Sequence, residues 1–487
     1  MNYLNKNLSD IHELLISKKI TSKELIQQTI KNIELNDKTL NAFLRVNDLA
    51  KDEANEIDRN VLNDKSKQLA GIPVAIKDNI ITKNILTTAA SKILSNFVPI
   101  YDATVIQKLK DAGMIIIGKT NLDEFAMGSS TETSYYKITH NAWNYNKVPG
   151  GSSGGSAVAV ASGEVPVALG SDTGGSIRQP AAFNGVVGFK PTYGRISRWG
   201  LIAFSSSLDE IGILTRTVLD NAKMLNVLAG LDEKDPTTVK NDVDFTNNLD
   251  GNIKGMKIAL PREFMSDGVD NEVKDKILDA AKIFRKLGAT VDEVSLPYSK
   301  YAVSTYYIIA CSEASSNFQR YDGIRYGYRS PNAKTLDEVY TKSRTEGFGD
   351  EVKRRIMLGT FALSSGYYDA YFKKAAKVRY LISKDFVDVF KNYDLVMSPT
   401  TPTTAFNIGE KVTDPVQMYM NDMLTISANL AGLPSASIPA GFSNDNLPIG
   451  MQLIGKRFDE NTIYRAGYAF EQATDFYKQV PKVKEEE

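Results

Sequence analysis

Two runs rich in glycine and serine are the places where this chain could do chemistry. Pro149-Gly150-Gly151-Ser152-Ser153-Gly154-Gly155-Ser156 is followed, at 170–179, by Gly-Ser-Asp-Thr-Gly-Gly-Ser-Ile-Arg-Gln. Glycines on both sides of a serine let the backbone take left-handed conformations and come close to a ligand. In Asp172-Thr173-Gly174-Gly175, several unobstructed N–H groups can converge on one point, which is what an oxyanion hole requires. A flexible linker has a similar composition. These runs, however, are framed by Val158-Ala159-Val160-Ala161 and by 165–169, both apolar enough for burial. A phosphate-binding loop needs Gly-x-x-x-x-Gly-Lys-Ser/Thr, and no lysine follows either cluster at that place.

A serine hydroxyl needs a base. The chain has two histidines. His12 lies in Ser9-Asp10-Ile11-His12-Glu13-Leu14-Leu15, which reads as a surface helix with a solvated histidine, and His140 stands before Asn141 in a polar stretch. Neither suits a Ser-His-Asp triad, and no cluster of His, Cys and carboxylates has zinc-ligand spacing. Lys77 suits the task better. It ends Gly71-Ile72-Pro73-Val74-Ala75-Ile76-Lys77, where an apolar strand would deliver it to the C-terminal edge of a sheet. Ligand sites of open α/β sheets collect at that edge. Burial disfavours an ammonium, so a lysine there can be neutral and act as a base. The plain alternative is an ion pair with Asp78 or Asp123.

The elements that must hold these groups follow from periodicity. Residues 9–60 look helical, with a capping box at Thr21-Ser22-Lys23-Glu24 and Leu25, Ile26, Ile30 and Ile33 on one face. Buried strands are expected at 71–76, 114–118, 186–189, 257–260, 395–398, 436–440 and 451–454. Helices are expected at 102–112, with Val105, Ile106 and Leu109 inward, and at 271–287, 350–364 and 366–391. That alternation predicts an α/β fold: one large domain with a central mixed sheet, helices on both faces and a helical N-terminal arm. Within residues 1–487 the arm is 1–65, the core carrying the motifs is 71–192, 232–252 is a surface excursion, and 480–487 is a frayed tail.

Gly-Gly-Ser-Ser-Gly-Gly-Ser, Asp-Thr-Gly-Gly-Ser-Ile-Arg-Gln-Pro-Ala and the upstream Ala-Ile-Lys-Asp-Asn together resemble the amidase signature family. The intervals agree: 75 residues from Lys77 to Ser152, and 24 from Ser152 to Ser176. The resemblance implies a Ser–cis-Ser–Lys set: Ser176 as nucleophile, Ser152 as bridging serine after a cis peptide bond, and Lys77 as base. It also implies an oxyanion hole from the amides of Thr173, Gly174 and Gly175. Asn121-Leu122-Asp123-Glu124-Phe125-Ala126-Met127-Gly128, 312–317, 320–327, 344–349 and 351–356 narrow it to one branch. Members of that branch release ammonia from free glutamine within tRNA-dependent amidotransferases. For glutamine, it implies Arg355 and Tyr306 on the α-carboxylate and Asp422 on the α-ammonium. Arg354 and Tyr307 are adjacent, so both registers stay open. Implied partners are a B subunit, which uses ATP and magnesium to activate glutamyl-tRNA(Gln), together with a small C subunit. No cofactor is implied for this chain.

Composition fits that division of labour. Fifty-eight basic and 58 acidic residues give zero formal charge, which offers no purchase on nucleic acid or an acidic membrane. Cys311 is the only cysteine, which excludes an internal disulfide and fits the cytoplasm, and no apolar run suggests a membrane span. Two other readings remain. One is a stand-alone amidase for small amides, and the other a non-catalytic scaffold, which would have no need of a lysine and two serines.

Overall fold

The computed structural model describes residues 6–60, 64, 67–411 and 414–482. Its eleven strands form one sheet. They are β1 (Phe43–Val46), β2 (Pro73–Lys77), β3 (Ile115–Thr120), β4 (Val167–Asp172), β5 (Val187–Lys190) and β6 (Glu210–Thr215), followed by β7 (Lys257–Pro261), β8 (Thr290–Val294), β9 (Leu395–Pro399), β10 (Ser435–Phe442) and β11 (Pro448–Gly455). Across the sheet their order is β1-β3-β2-β4-β6-β5-β10-β11-β9-β7-β8. The trios β3-β2-β4 and β9-β7-β8 are parallel, and the stretch between them is antiparallel, so the sheet is mixed as expected.

Alternation along β2 explains the layers. Val74 and Ile76 join a core with Val105, Ile106 and Leu109 of the helix Thr104–Asp111. Ala75 points the other way, into a core with the helix Gly154–Ala161 and with Ile26 and Ile33 of the helix Ser22–Leu40. Lys77, two residues after Ala75, therefore leaves the sheet on the side where the helix Gly154–Ala161 begins. A third core surrounds the helix Ala302–Asn317 and contains Tyr306.

The helical arm needs correction. The capping box at Thr21 is present, but 9–60 is interrupted by β1, which pairs antiparallel with β3 and widens the sheet by one edge strand. Phe43-Leu44-Arg45-Val46 is short and β-prone, and its pairing decides its state. Likewise the helix expected from 366 begins at Phe372, because 364–371 make tight turns around Ser364 and Gly366. His12 is half-buried rather than solvated, and desolvation pulls its pKa down. Residues 232–252 hold no helix or strand, although Phe245 is buried and pins them. Of the tail, 483–487 lie outside the described residues. No helix among the described residues is long and apolar enough to cross a membrane.

Candidate active site

Parallel strands β2 and β4 end side by side and carry Lys77 and Asp172 at their C-terminal tips. Lys77 is fully buried. Its Nζ lies 2.8 Å from Ser152 Oγ, 2.8 Å from Ser153 Oγ, 3.0 Å from Ser171 Oγ and 3.3 Å from the Ser171 carbonyl oxygen. Lys77 makes no ion pair among the described residues. Asp78 is instead held by Arg45 at 2.6 Å, while Asp123 accepts from Thr131 N and Thr133 Oγ1 at 2.9 Å. Burial pulls the Lys77 ammonium down to about 7, although the carboxylates of Asp123, Asp172 and Asp209 work in the opposite direction. With a pKa of about 7, the side chain is neutral in a large share of molecules near neutral pH, as a base must be.

Ser152 reaches Lys77 from a turn in which the Gly151–Ser152 peptide bond is cis. Gly151 N donates to Gln179 Oε1 at 2.8 Å, and no side chain fits at 151, where a Cβ would stand 2.0 Å from Asp123 Oδ2. Ser153 N donates to the Ser176 carbonyl at 3.1 Å, which holds the two serine segments together. Ser176 is 8% exposed, at the end of the turn 173–175.

That turn is pinned at three points. Thr173 Oγ1 donates to Asp209 Oδ1 at 2.7 Å, Thr425 Oγ1 donates to the Gly174 carbonyl at 2.6 Å, and Gly175 N donates to Asp172 Oδ1 at 2.7 Å. The last bond changes the expected oxyanion hole, since the Gly175 amide is already engaged. Among the described residues, the backbone N–H groups of Thr173, Gly174 and Ser176 make no hydrogen bond. Asp172 also binds Arg178 through Nε and Nη2 at 3.0 Å each and Asn429 Nδ2 at 2.8 Å. Burial alone would raise its pKa, but the Arg178 charge and these bonds hold it well below the carboxylate range.

Next to this turn sit the residues expected to bind a charged substrate. The Tyr306 ring covers Gly174, where a Cβ would stand 2.7 Å from the ring. Tyr307 stacks on Tyr419, with centroids 3.8 Å apart, and its ring lies 5.2 Å from the Arg355 guanidinium. The two tyrosines therefore have different surroundings, one over the turn 173–175 and one beside the Arg355 guanidinium. Arg355 has a side chain 3% exposed against 44% for Arg354, so it is Arg355 that faces inward. It donates to Glu351 Oε1 at 2.8 Å. Asp422 accepts from Ser129 Oγ at 2.7 Å, and burial raises it to about 7 despite the Arg355 charge. A cavity of about 320 Å³ opens beside Arg355 and Tyr419. Among the described residues, no group of His, Cys, Asp or Glu could hold a metal ion.

The family model described as Amidase matches residues 24–464. The chain belongs to the amidase family. This amidase is 64% identical over 483 residues to the A subunit of the glutamyl-tRNA(Gln) amidotransferase of Lacticaseibacillus paracasei, with 99% of each chain covered. It is also similar to the solved structure of the corresponding glutamyl-tRNA(Gln) amidotransferase chain from Thermotoga maritima, at 46% identity, 95% coverage of each chain and a TM-score of 0.81. A bacterial aryl acylamidase of the amidase signature family superposes with a TM-score of 0.85 at 28% identity, with 97% of each chain covered.

Several residues around the amidase site escaped sequence reading. Ser153, Ser171 and Asn79 complete the shell of Lys77, with Asn79 Nδ2 donating to Ser171 Oγ at 2.9 Å. Ser153 and Asn79 stand inside the family motifs and Ser171 directly precedes one, so the signal was there. Thr425, Ser129 and Asp209 come from distant, unremarked segments and gave none.

Proposed function

We propose that this amidase hydrolyses free glutamine to glutamate and ammonia as the A subunit of a glutamyl-tRNA(Gln) amidotransferase. The observation that carries the reading is the buried Arg355, set with Asp422 beside the turn 173–176. Two opposite charges flanking a carboxamide site match a free amino acid, and a guanidinium suits a carboxylate. The full-length likeness to subunits of that name supports it.

In this mechanism neutral Lys77 takes a proton from Ser152 Oγ, which takes one from Ser176 Oγ. Ser176 then bonds to the carboxamide carbon. The oxyanion is held by the free amides of Thr173, Gly174 and Ser176, each typically worth about 3–4 kcal/mol. As the intermediate collapses the C–N bond breaks, Ser152 gives its proton to the leaving nitrogen, and ammonia departs. Water, deprotonated by the same route, cleaves the glutamyl ester. B and C subunits complete the enzyme in the cytoplasm, the B subunit using ATP and magnesium to activate glutamyl-tRNA(Gln) for the ammonia.

Two groups near pH 7 make the pH dependence diagnostic. Lys77 must be neutral to act and Asp422 ionised to hold an ammonium, so protonation of either lowers the rate. Below pH 7, kcat/KM for an uncharged amide is expected to fall about tenfold per unit, and for glutamine more steeply. Initial rates from pH 5.5 to 9 on both substrates check this, and a flat profile counts against lysine as base.

Arg355→Ala is expected to raise the KM for glutamine about 30- to 100-fold, as loss of a charge-assisted pair would. Hydrolysis of butyramide should change little. Equal loss on both substrates assigns Arg355 a structural role. A stand-alone amidase for small amides is the second reading, favoured by Glu351, which already occupies one edge of the Arg355 guanidinium.

A further inference from the structure

We propose that Asp209 is a positioning residue that ties the oxyanion turn to the carboxylate-binding side of the pocket. The link to glutamine rests on the function proposed above. Asp209 directly precedes β6, and the β4–β6 register pairs Asp172 with Glu210, so Asp209 is carried to Thr173 by the sheet itself. Its side chain is buried and divides its two oxygens between two jobs. Oδ1 accepts from Thr173 Oγ1 at 2.7 Å, while Oδ2 accepts from Phe204 N at 2.8 Å and Ser205 N at 2.9 Å.

Each half leads to a different part of the site. The Thr173 bond fixes the first residue of the turn whose amides face the developing charge, and bonds to an ionised acceptor are the stronger kind. On the other side, the Phe204 ring lies 5.5 Å from the Arg355 guanidinium. The segment that carries it is tied down by Glu313, which accepts from Ser205 Oγ at 2.7 Å and Ser207 N at 2.9 Å. Glu313 belongs to the helix Ala302–Asn317, which also places Tyr306 over Gly174. One carboxylate therefore sets both the amides that meet the oxyanion and the aromatic wall of the cation that meets the substrate carboxylate. Asp209 touches neither substrate nor reacting atoms; it acts through Thr173 and Phe204.

The test measures kcat and KM for glutamine and for butyramide, with the chain co-purified with its partner subunits and supplied with ATP and glutamyl-tRNA. Thr173→Val removes only the hydroxyl arm and is expected to lower kcat on both amides about 10- to 100-fold with KM unchanged. Thr173→Ser, which keeps the hydroxyl donor to Asp209, should recover most of the kcat lost in Thr173→Val, as that bond is restored. Asp209→Ala should show the same kcat loss and, in addition, a raised KM for glutamine but not for butyramide. The double variant Thr173→Val/Asp209→Ala should be no slower than Asp209→Ala, since both act on one bond. Wild-type kcat in Thr173→Val would overturn the proposal, whether or not Asp209→Ala folds. So would a folded Asp209→Ala with an unchanged glutamine KM, or kcat losses that multiply in the double variant. Should wild type hydrolyse butyramide and leave glutamine untouched, the glutamine reading and the Phe204 arm both fail, while the Thr173 arm is still decided on butyramide.

Discussion

Ser176→Ala is expected to reduce ammonia release from glutamine by about 10⁶-fold, the scale seen when a serine nucleophile is removed from a unit that works together. The loss should fall on kcat. Ser176 sits at the end of a turn pinned by Asp209, Thr425 and Asp172, and none of those bonds uses its side chain. Removing one oxygen from a residue that is 8% exposed leaves the turn and the substrate pocket in place. Glutamine should thus still bind with a dissociation constant near that of wild type, measurable by calorimetry on the inactive variant. Combining Ser176→Ala with Ser152→Ala should cost almost nothing further, because the proton relay has no purpose once its nucleophile is gone.

The second large effect concerns the base. Lys77→Ala is expected to lower kcat by about 10²–10⁴-fold, the range of general acid–base contributions. Lys77→Arg should be as slow, because a guanidinium stays charged and cannot take the Ser152 proton. Both variants should also lose the limb of the butyramide profile near pH 7. The sign follows from the cause: burial destabilises the ammonium, so the neutral amine accumulates as pH rises through about 7, and the rate rises with it. A variant without the lysine has nothing there to titrate. If Lys77→Ala keeps the rising limb, another group is the base, and Asp422, also near 7, is the one to examine on glutamine.

How far the sequence foretold this molecule depends on what each signal was made of. Buried strands such as 71–76 and 451–454 were visible because short, mostly apolar runs between glycine or proline breaks have few other fates. β1 was not, because four residues between two helices carry no period of their own and owe their state to β3. The helix Ala302–Asn317 was also missed, since apolar and small residues on all its faces leave no amphipathic stripe to read. In the site, the glycine- and serine-rich runs were legible from local composition, whereas the choice of Lys77 with Ser152 and Ser176 came from the resemblance to the amidase signature family; the structure brings these segments to the tips of β2 and β4. What the chain's order hid was long-range support. Asp209 reaches Thr173 through strand register, and Thr425 reaches Gly174 across 251 positions. The engaged Gly175 amide was equally hidden, because only a folded Asp172 says which of three adjacent N–H groups is already spent.

The central claim, that Ser176 attacks the carboxamide, is tested most directly by trapping the ester. The chain, co-purified with its partner subunits, is mixed with glutamine, ATP and glutamyl-tRNA, quenched in acid within milliseconds, and digested. The fragment from Val148 to Arg178 is then sequenced by mass spectrometry. The expected result is one glutamyl group on Ser176, absent from Ser176→Ala and increased in a variant with slowed deacylation. A glutamyl group on Ser152 or Ser153, or undiminished ammonia release by Ser176→Ala, would contradict it.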